Sequence, residues 1–225
     1  MTNRLGALPD QLLTQLVESG NIIDAQLKHI SPASLDLTVS SEIYKIRGLV
    51  LPKVGESVRD LMSFMEAKEA SITEPLECNA LYLVKLNESL DLPEQVYGYC
   101  NPKSSTGRLD MHVRVLADGV PRFDSITPKG FKGELWAAIA PKSFSVQIHE
   151  GTPLTQLRLF TGDTRFSELD LELAMQDGLV WHPNEDKKML YSDLVTNEQD
   201  GTVVLTAQVK EGVCGFECIA QPEQV

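Results

Sequence analysis

Within NPKSSTGRLD, residues 101–110, six consecutive positions carry two cations, Lys103 and Arg108, and three hydroxyls, Ser104, Ser105 and Thr106. That is the makeup of an anion cradle: hydroxyl and backbone N–H donors wrap phosphate oxygens while the cations add charge-assisted bonds. The same residues also satisfy a tight turn with solvated cations, and the segment by itself leaves both readings open. Metal-ligating spacing is a different matter. Cys214 and Cys218 are separated by three residues with no third and fourth ligand nearby, so no zinc site is expected. Cys78, Cys100, Cys214 and Cys218 are too few and too scattered for a disulfide framework, which fits a reducing compartment.

The elements around the turn are mostly strands. Period-two or short apolar runs occur at 34–40, 80–86, 95–100, 111–117, 134–140, 144–149 and 154–160, punctuated by turn formers such as Asn101-Pro102, Pro128 to Gly130 and Glu150-Gly151. This predicts a mostly antiparallel β domain over about 20–162, a sandwich or barrel, decorated by helices. A helix is expected at 9–19, with Leu12, Leu13, Leu16 and Val17 as its stripe. Another is expected after Ser57, with Val58, Leu61, Met62 and Met65 on one face, and a third from Ser167 to Gly178. Trp136 and Trp181 read as packing residues, and the Glu185 to Lys188 run as a solvated face, with Lys187, Lys188 and Tyr191 as candidates for a flap over a ligand. The net charge of -12 argues against duplex DNA or an anionic membrane surface as partner, without excluding one small anionic ligand. The N-terminus lacks the apolar core of a signal peptide and no run of 18 apolar residues occurs, so the expected location is cytoplasmic.

The turn and its flanks resemble the dCTP deaminase and dUTPase superfamily. NPKSSTGRLD is similar to its K/R-S-S-x-x-R signature, and LDLPEQVYGYC, MHVRVLAD, SPASLDLTVSSEIYKIRG and ITPKGFKGELWAAIAPKSFSVQIHEGTPLTQLRLF resemble the flanking segments of the deaminase branch over residues 30–160. The N-terminal LPDQLL helix and the insert PRFDSI point to the long, two-domain form, of which this chain would be the first half plus the start of the second. The resemblance implies a distorted β-barrel or jelly roll of the dUTPase-like type, with peripheral short helices, assembled as a trimer or pseudo-trimer with sites between subunits. It implies conversion of dCTP to dUTP and ammonia, with Mg2+ carried on the triphosphate. It assigns Ser104 and Arg108 to polarising the cytosine ring, Lys103 and Ser105 to the phosphates, the backbone of Val115 and Ala117 to reading the base, and Gln156 to substrate binding. Asp36, in SLDL, is expected to make a structural hydrogen bond. The route would be metal-free: the H-x-E and P-C-x-x-C elements of zinc deaminases are missing, as none of His29, His112, His149 and His182 precedes a Glu by two.

One departure matters for the chemistry. The family's general-base Glu stands five residues after the glycine that closes the Pro-Gly-aromatic turn, and counting from Gly133 reaches Ala138. Glu134 has the same strand parity but stands about 13 Å away at ~3.3 Å per residue. Three functions therefore stay open: a deaminase whose base comes from elsewhere, a dUTPase-like pyrophosphatase using Asp118 or Asp124, and a catalytically silent nucleotide-binding or oligomerisation domain. The expected organisation is a β domain at 1–165 with its N-terminal helix, a helical connector at 166–200, and from 201 either a second β unit or a closing strand.

Overall fold

The computed structural model describes residues 5–162, 166–182, 185–194, 196–197, 202–203 and 211–213. The chain divides after Gly162 into two compact units. The first begins with helix α1 (Asp10–Glu18), which enters on Pro9, buries Leu13 and Leu16, and ends at Ser19 before Gly20 turns the chain at a φ of 76°. Six main strands follow: β1 (Ser34–Ile46), β2 (Leu81–Asp91), β3 (Val96–Pro102), β4 (Met111–Ala117), β5 (Lys132–Pro141) and β6 (Pro153–Thr161). A five-residue helix, α2 (Ser104–Arg108), lies between β3 and β4.

All these strands pair antiparallel in the order β4-β5-β2-β1-β6-β3, and β3 also carries the short strand Ser125–Ile126. The thirteen-residue β1 serves two sheets: Leu35 to Thr38 pair with β6, and Val39 to Ile46 pair with β2, with a shift in register between Val39 and Ile43. The free edges approach each other through Asp124. Its carboxylate accepts the Val115 N–H of β4 at 2.8 Å, its own N–H donates to the Val115 carbonyl at 2.8 Å, and its carbonyl accepts the Cys100 N–H of β3 at 2.8 Å. The result is a nearly closed antiparallel barrel, filled by alternate side chains such as Leu35, Leu37, Leu86, Val115, Ala137 and Leu157. Burial of Cys100 in this wall pushes its thiol pKa far upward.

A buried clasp sits where β1 changes partner. The Glu88 carboxylate, 1% exposed, accepts the Thr38 N–H and the Thr38 hydroxyl, both at 2.8 Å, while the Asn87 amide donates to the Thr38 Oγ1 and the Val39 carbonyl. Burial raises the Glu88 pKa, although its bonds from Thr38 oppose the shift.

The outer face of β5 carries a second apolar cluster, in which Trp136, Ala138, Leu83 and Leu116 meet Ile46, Val58, Leu61 and Met65. The helix expected after Ser57 is one 3-10 turn, Arg59–Leu61. Its start forms as anticipated, with Ser57 and Asp60 bonded reciprocally. The chain then leaves the helical path at Glu66, whose φ is 50°, because Leu61 and Met65 are drawn onto the sheet. Arg59 rims this cluster. It stands 5.0 Å from the Trp136 ring centroid and binds Glu42 at 2.7 Å and Glu134 at 2.8 Å, and Lys85 reaches Glu134 at 3.2 Å. Bonds from Arg59 hold the Glu42 carboxyl below its ordinary range. Burial pushes Glu134 up, but Arg59 and Lys85 together outweigh it and hold that carboxyl low as well.

The apolar run 144–149 is not a strand. Only Val146 pairs, with Leu76, while Val146 and Ile148 bury their side chains in the core without joining the main ladder. Alternation there serves a plug, since no further strand lies alongside to accept its hydrogen bonds.

In the second unit, α3 (Glu168–Gln176) starts on a Ser167–Asp170 capping box and is followed by Gly178 at a φ of 93°. Leu171 and Met175 are buried, but Trp181 is 49% exposed, against the expectation of a packing residue; its indole N–H donates to the Gly178 carbonyl. Thr202–Val203 pairs with Thr196–Asn197, and the rest of the run from 204 to 210 lies outside the described residues. So do Cys214 and Cys218.

Two measurements check these assignments. Glu88→Ala orphans the Thr38 donors, at about 1–3 kcal/mol per unsatisfied group, and is expected to lower the urea midpoint accordingly; an unchanged midpoint means the clasp adds no stability. For Glu42 and Glu134 the native pKa is depressed, so their contribution is complete above the ordinary carboxyl value of 4.5 and fades as the pH falls below it. The stability gap between the wild type and Glu134→Gln should therefore be widest near neutral pH and close in acid. A gap that is independent of pH contradicts the ion-pair account.

Candidate functional site

The phosphate-like turn is held from beneath by β6. The Lys103 N–H donates to the Leu154 carbonyl at 3.0 Å, and the buried Thr106 hydroxyl donates to the same carbonyl at 2.9 Å. Thr106 is thus a structural bolt, and its fixing turns its neighbours outward. Ser104, Ser105 and Arg108 are exposed, and their side chains have no hydrogen-bonding or ionic partner among the described residues. Asp110, with a φ of 48°, ends the element and sends the chain into β4.

Lys103 behaves differently from Arg108. Its ammonium pairs with the Asp36 carboxylate, and the Gln156 amide donates to the other oxygen of Asp36 at 3.0 Å. Two residues expected to meet substrate, from β3's end and from β6, are therefore joined by a carboxylate of β1. The SLDL motif signalled a structural hydrogen bond for Asp36, but its partners lie 67 and 120 residues away and left no local trace. The outcome is electrostatic: Lys103 is compensated by Asp36, whereas Arg108 is unpaired among the described residues.

Val115 and Ala117 point their side chains into the core, at 1% exposure each. Of their backbone groups, the Val115 N–H and carbonyl are both engaged by Asp124, and the Ala117 carbonyl accepts the Val120 N–H at 3.1 Å. Asp124 also pairs with Arg114 at 2.7 Å. Asp118 accepts the Val58 N–H at 2.8 Å and the Glu134 N–H at 3.0 Å. Both acids of the 118–124 loop thus hold backbone in place.

Ala138 sits in the second apolar cluster at 4% exposure, opposite Leu83 on β2 and Arg114 on β4. Helix α2, by contrast, packs against β4 and β6. Glu134 is separated from Ala138 by a register irregularity between Glu134 and Trp136 and is committed to Arg59 and Lys85. A carboxylate held low by two cations is a weak proton acceptor, the reverse of what a general base near neutral pH requires. The Arg59, Glu42, Glu134 and Lys85 network escaped the sequence reading because its members converge from four separate segments.

In the second unit, the residues considered for a flap are occupied locally. Lys187 pairs with Glu185 at 2.6 Å, Lys188 donates to the Gln176 carbonyl at 3.0 Å, and the Tyr191 hydroxyl donates to Glu168 at 3.4 Å. Among the described residues, no group of three or more His, Cys, Asp or Glu side chains is arranged to hold a metal ion, and no helix is long and apolar enough to cross a membrane.

Comparison with known proteins gives this arrangement a family. Residues 4–163 match the 2'-deoxycytidine 5'-triphosphate deaminase (DCD) N-terminal domain. The crystal structure of 2'-deoxycytidine 5'-triphosphate deaminase from Agrobacterium tumefaciens is similar at 32% sequence identity and a TM-score of 0.70, over 77% of this chain and 54% of that one. This chain thus spans about half the length of that relative. A dUTPase of EIAV overlaps 66% of this chain and 97% of its own at 14% identity, with a TM-score of 0.31. No curated protein matches. The family match over 4–163 and the shared barrel agree with the signature at 103–108, and the chain belongs to the 2'-deoxycytidine 5'-triphosphate deaminase family.

Proposed function

We propose that this chain binds dCTP through residues 103–108 and takes part in its hydrolytic deamination to dUTP and ammonia. The observation that carries this reading is the exposed Ser104, Ser105 and Arg108, unpartnered among the described residues beside the Lys103–Asp36–Gln156 cluster. Lys103 faces the triphosphate charge, exchanging Asp36 for a phosphate oxygen, and Ser105 adds a hydroxyl donor. Ser104 and Arg108 polarise the cytosine ring while water adds at C4, a proton moves to the departing nitrogen, and ammonia leaves. The backbone of Val115 and Ala117 reads the base, the carbonyl of each retaining a second lone pair. Mg2+ belongs to the substrate, arriving on the triphosphate. No zinc takes part. The assembly in this reading is a cytoplasmic trimer or pseudo-trimer, in which another subunit or another segment brings the general base.

A second reading, a catalytically silent nucleotide-binding or oligomerisation domain, is favoured by one observation: Ala138 is sealed in an apolar cluster, and Glu134 on the same strand is paired with Arg59 and Lys85. The dUTPase-like alternative has less support, since Asp118 and Asp124 are both engaged in holding backbone N–H groups.

Titration with dCTP tests the binding step. Arg108→Ala removes charge-assisted bonds and is expected to weaken binding about tenfold or more; identical curves would reduce the segment to a turn. Ammonia release tests the chemistry. A positioned base supplies a factor of about 10² to 10⁴, so the isolated chain should be slow by that order and Ala138→Glu should speed it. A folded Ala138→Glu protein that binds dCTP and stays inactive selects the silent reading.

A further inference from the structure

A cleft of about 380 Å³ opens between β3, β6 and the loop that precedes Ser125–Ile126. Rings and guanidinium groups line it: Tyr99, Phe160 and Phe123 with Arg122 and Arg158, and Asn101 at the end nearest Gln156. Arg158 stands 5.4 Å from the Phe160 ring centroid, and Phe160 stacks on Tyr97 at 5.7 Å and meets Tyr99 edge-on at 6.1 Å. Neither Arg122 nor Arg158 has an acidic partner among the described residues, and both are exposed. The carboxylate in the wall, Asp124, is already neutralised by Arg114 and the Val115 N–H.

Two uncompensated guanidinium groups facing one concavity concentrate positive potential on a chain whose net charge is -12. Guanidinium forks match phosphate oxygens in pairs, and the exposed Tyr99 ring beside them offers a face on which a base can stack. The volume lies within the range, about 300–1,000 Å³, of small-molecule sites. Arg158 stands two residues beyond Gln156 on the same side of β6, about 7 Å along the strand, so the cleft adjoins the Lys103–Asp36–Gln156 cluster without including it.

We infer that this cleft is a second ligand site, for a nucleoside monophosphate, separate from the 103–108 turn. The base lies against Tyr99, and the phosphate is held by Arg122 and Arg158. Asn101 is placed to bond the sugar or the base edge. The site does not depend on the deaminase reading, since it shares no residue with the turn.

Calorimetric titration of the full chain with dCMP tests it, using Arg122→Glu/Arg158→Glu, Tyr99→Ala and Arg108→Ala in parallel, with inorganic phosphate as competitor. The double charge reversal should weaken dCMP binding at least tenfold, Tyr99→Ala should weaken dCMP but not inorganic phosphate, and Arg108→Ala should leave dCMP binding intact. All the substituted side chains are exposed, and unchanged urea midpoints confirm that each variant is folded. Undiminished dCMP binding in the double variant overturns the inference, as does the absence of dCMP binding in the wild type. Loss in Arg108→Ala assigns the binding to the turn instead, and inorganic phosphate that competes as well as dCMP itself reduces the cleft to an anion site.

Discussion

The barrel depends on one strand that belongs to two sheets. β1 must leave β6 and join β2 within a few residues, and at that point its ladder is irregular and its backbone needs other partners. The Glu88 carboxylate and the Asn87 amide supply them, binding Thr38 and the Val39 carbonyl. A charged acceptor is stronger than a neutral one for this purpose, and the cost of burying it appears as the raised Glu88 pKa. The crossing sets the register of the residues on either side of it, Asp36 just before and Tyr44 and Ile46 after, against which the outer cluster forms.

Asp36 and Asp124 show how carboxylates divide the local field. Asp36 neutralises Lys103 and anchors Gln156, which leaves Arg108 as the uncompensated cation of the turn. Asp124 closes the barrel between β3 and β4 and neutralises Arg114, leaving Arg122 and Arg158 to dominate the cleft nearby. In a chain this acidic, positive potential arises where acids are consumed internally, and both such places lie along the β3–β6 side.

The outer face of β5 follows a different logic. Trp136 is fully buried beneath Arg59, and its indole nitrogen finds no hydrogen-bond partner among the described residues. Arg59 is itself held by two carboxylates, which fixes the 58–65 segment over Ala138. The methyl of Ala138 suits this setting, since an ionised carboxylate there would meet mostly hydrocarbon.

Much of this was legible in the chain itself. Alternation located β4 without error and β5 and β6 to within two residues, because period two survives wherever one face is buried. The Ser167–Asp170 pair marked α3, a signal carried entirely by residues three apart. The 103–108 residues stood out by type alone, two cations and three hydroxyls in six positions. Tertiary structure decided the rest. The second half of β1, SSEIYKI, reads as polar and irregular, and it is a strand only because β2 lies alongside. The alternating run at 144–149 had the right pattern and no ladder to join. Lys103 met Asp36, Arg59 met Glu134, and Ala138 was enclosed by a segment from far earlier in the chain, since which charges are compensated depends on sheet order and register, and these are long-range properties that no local window of sequence contains.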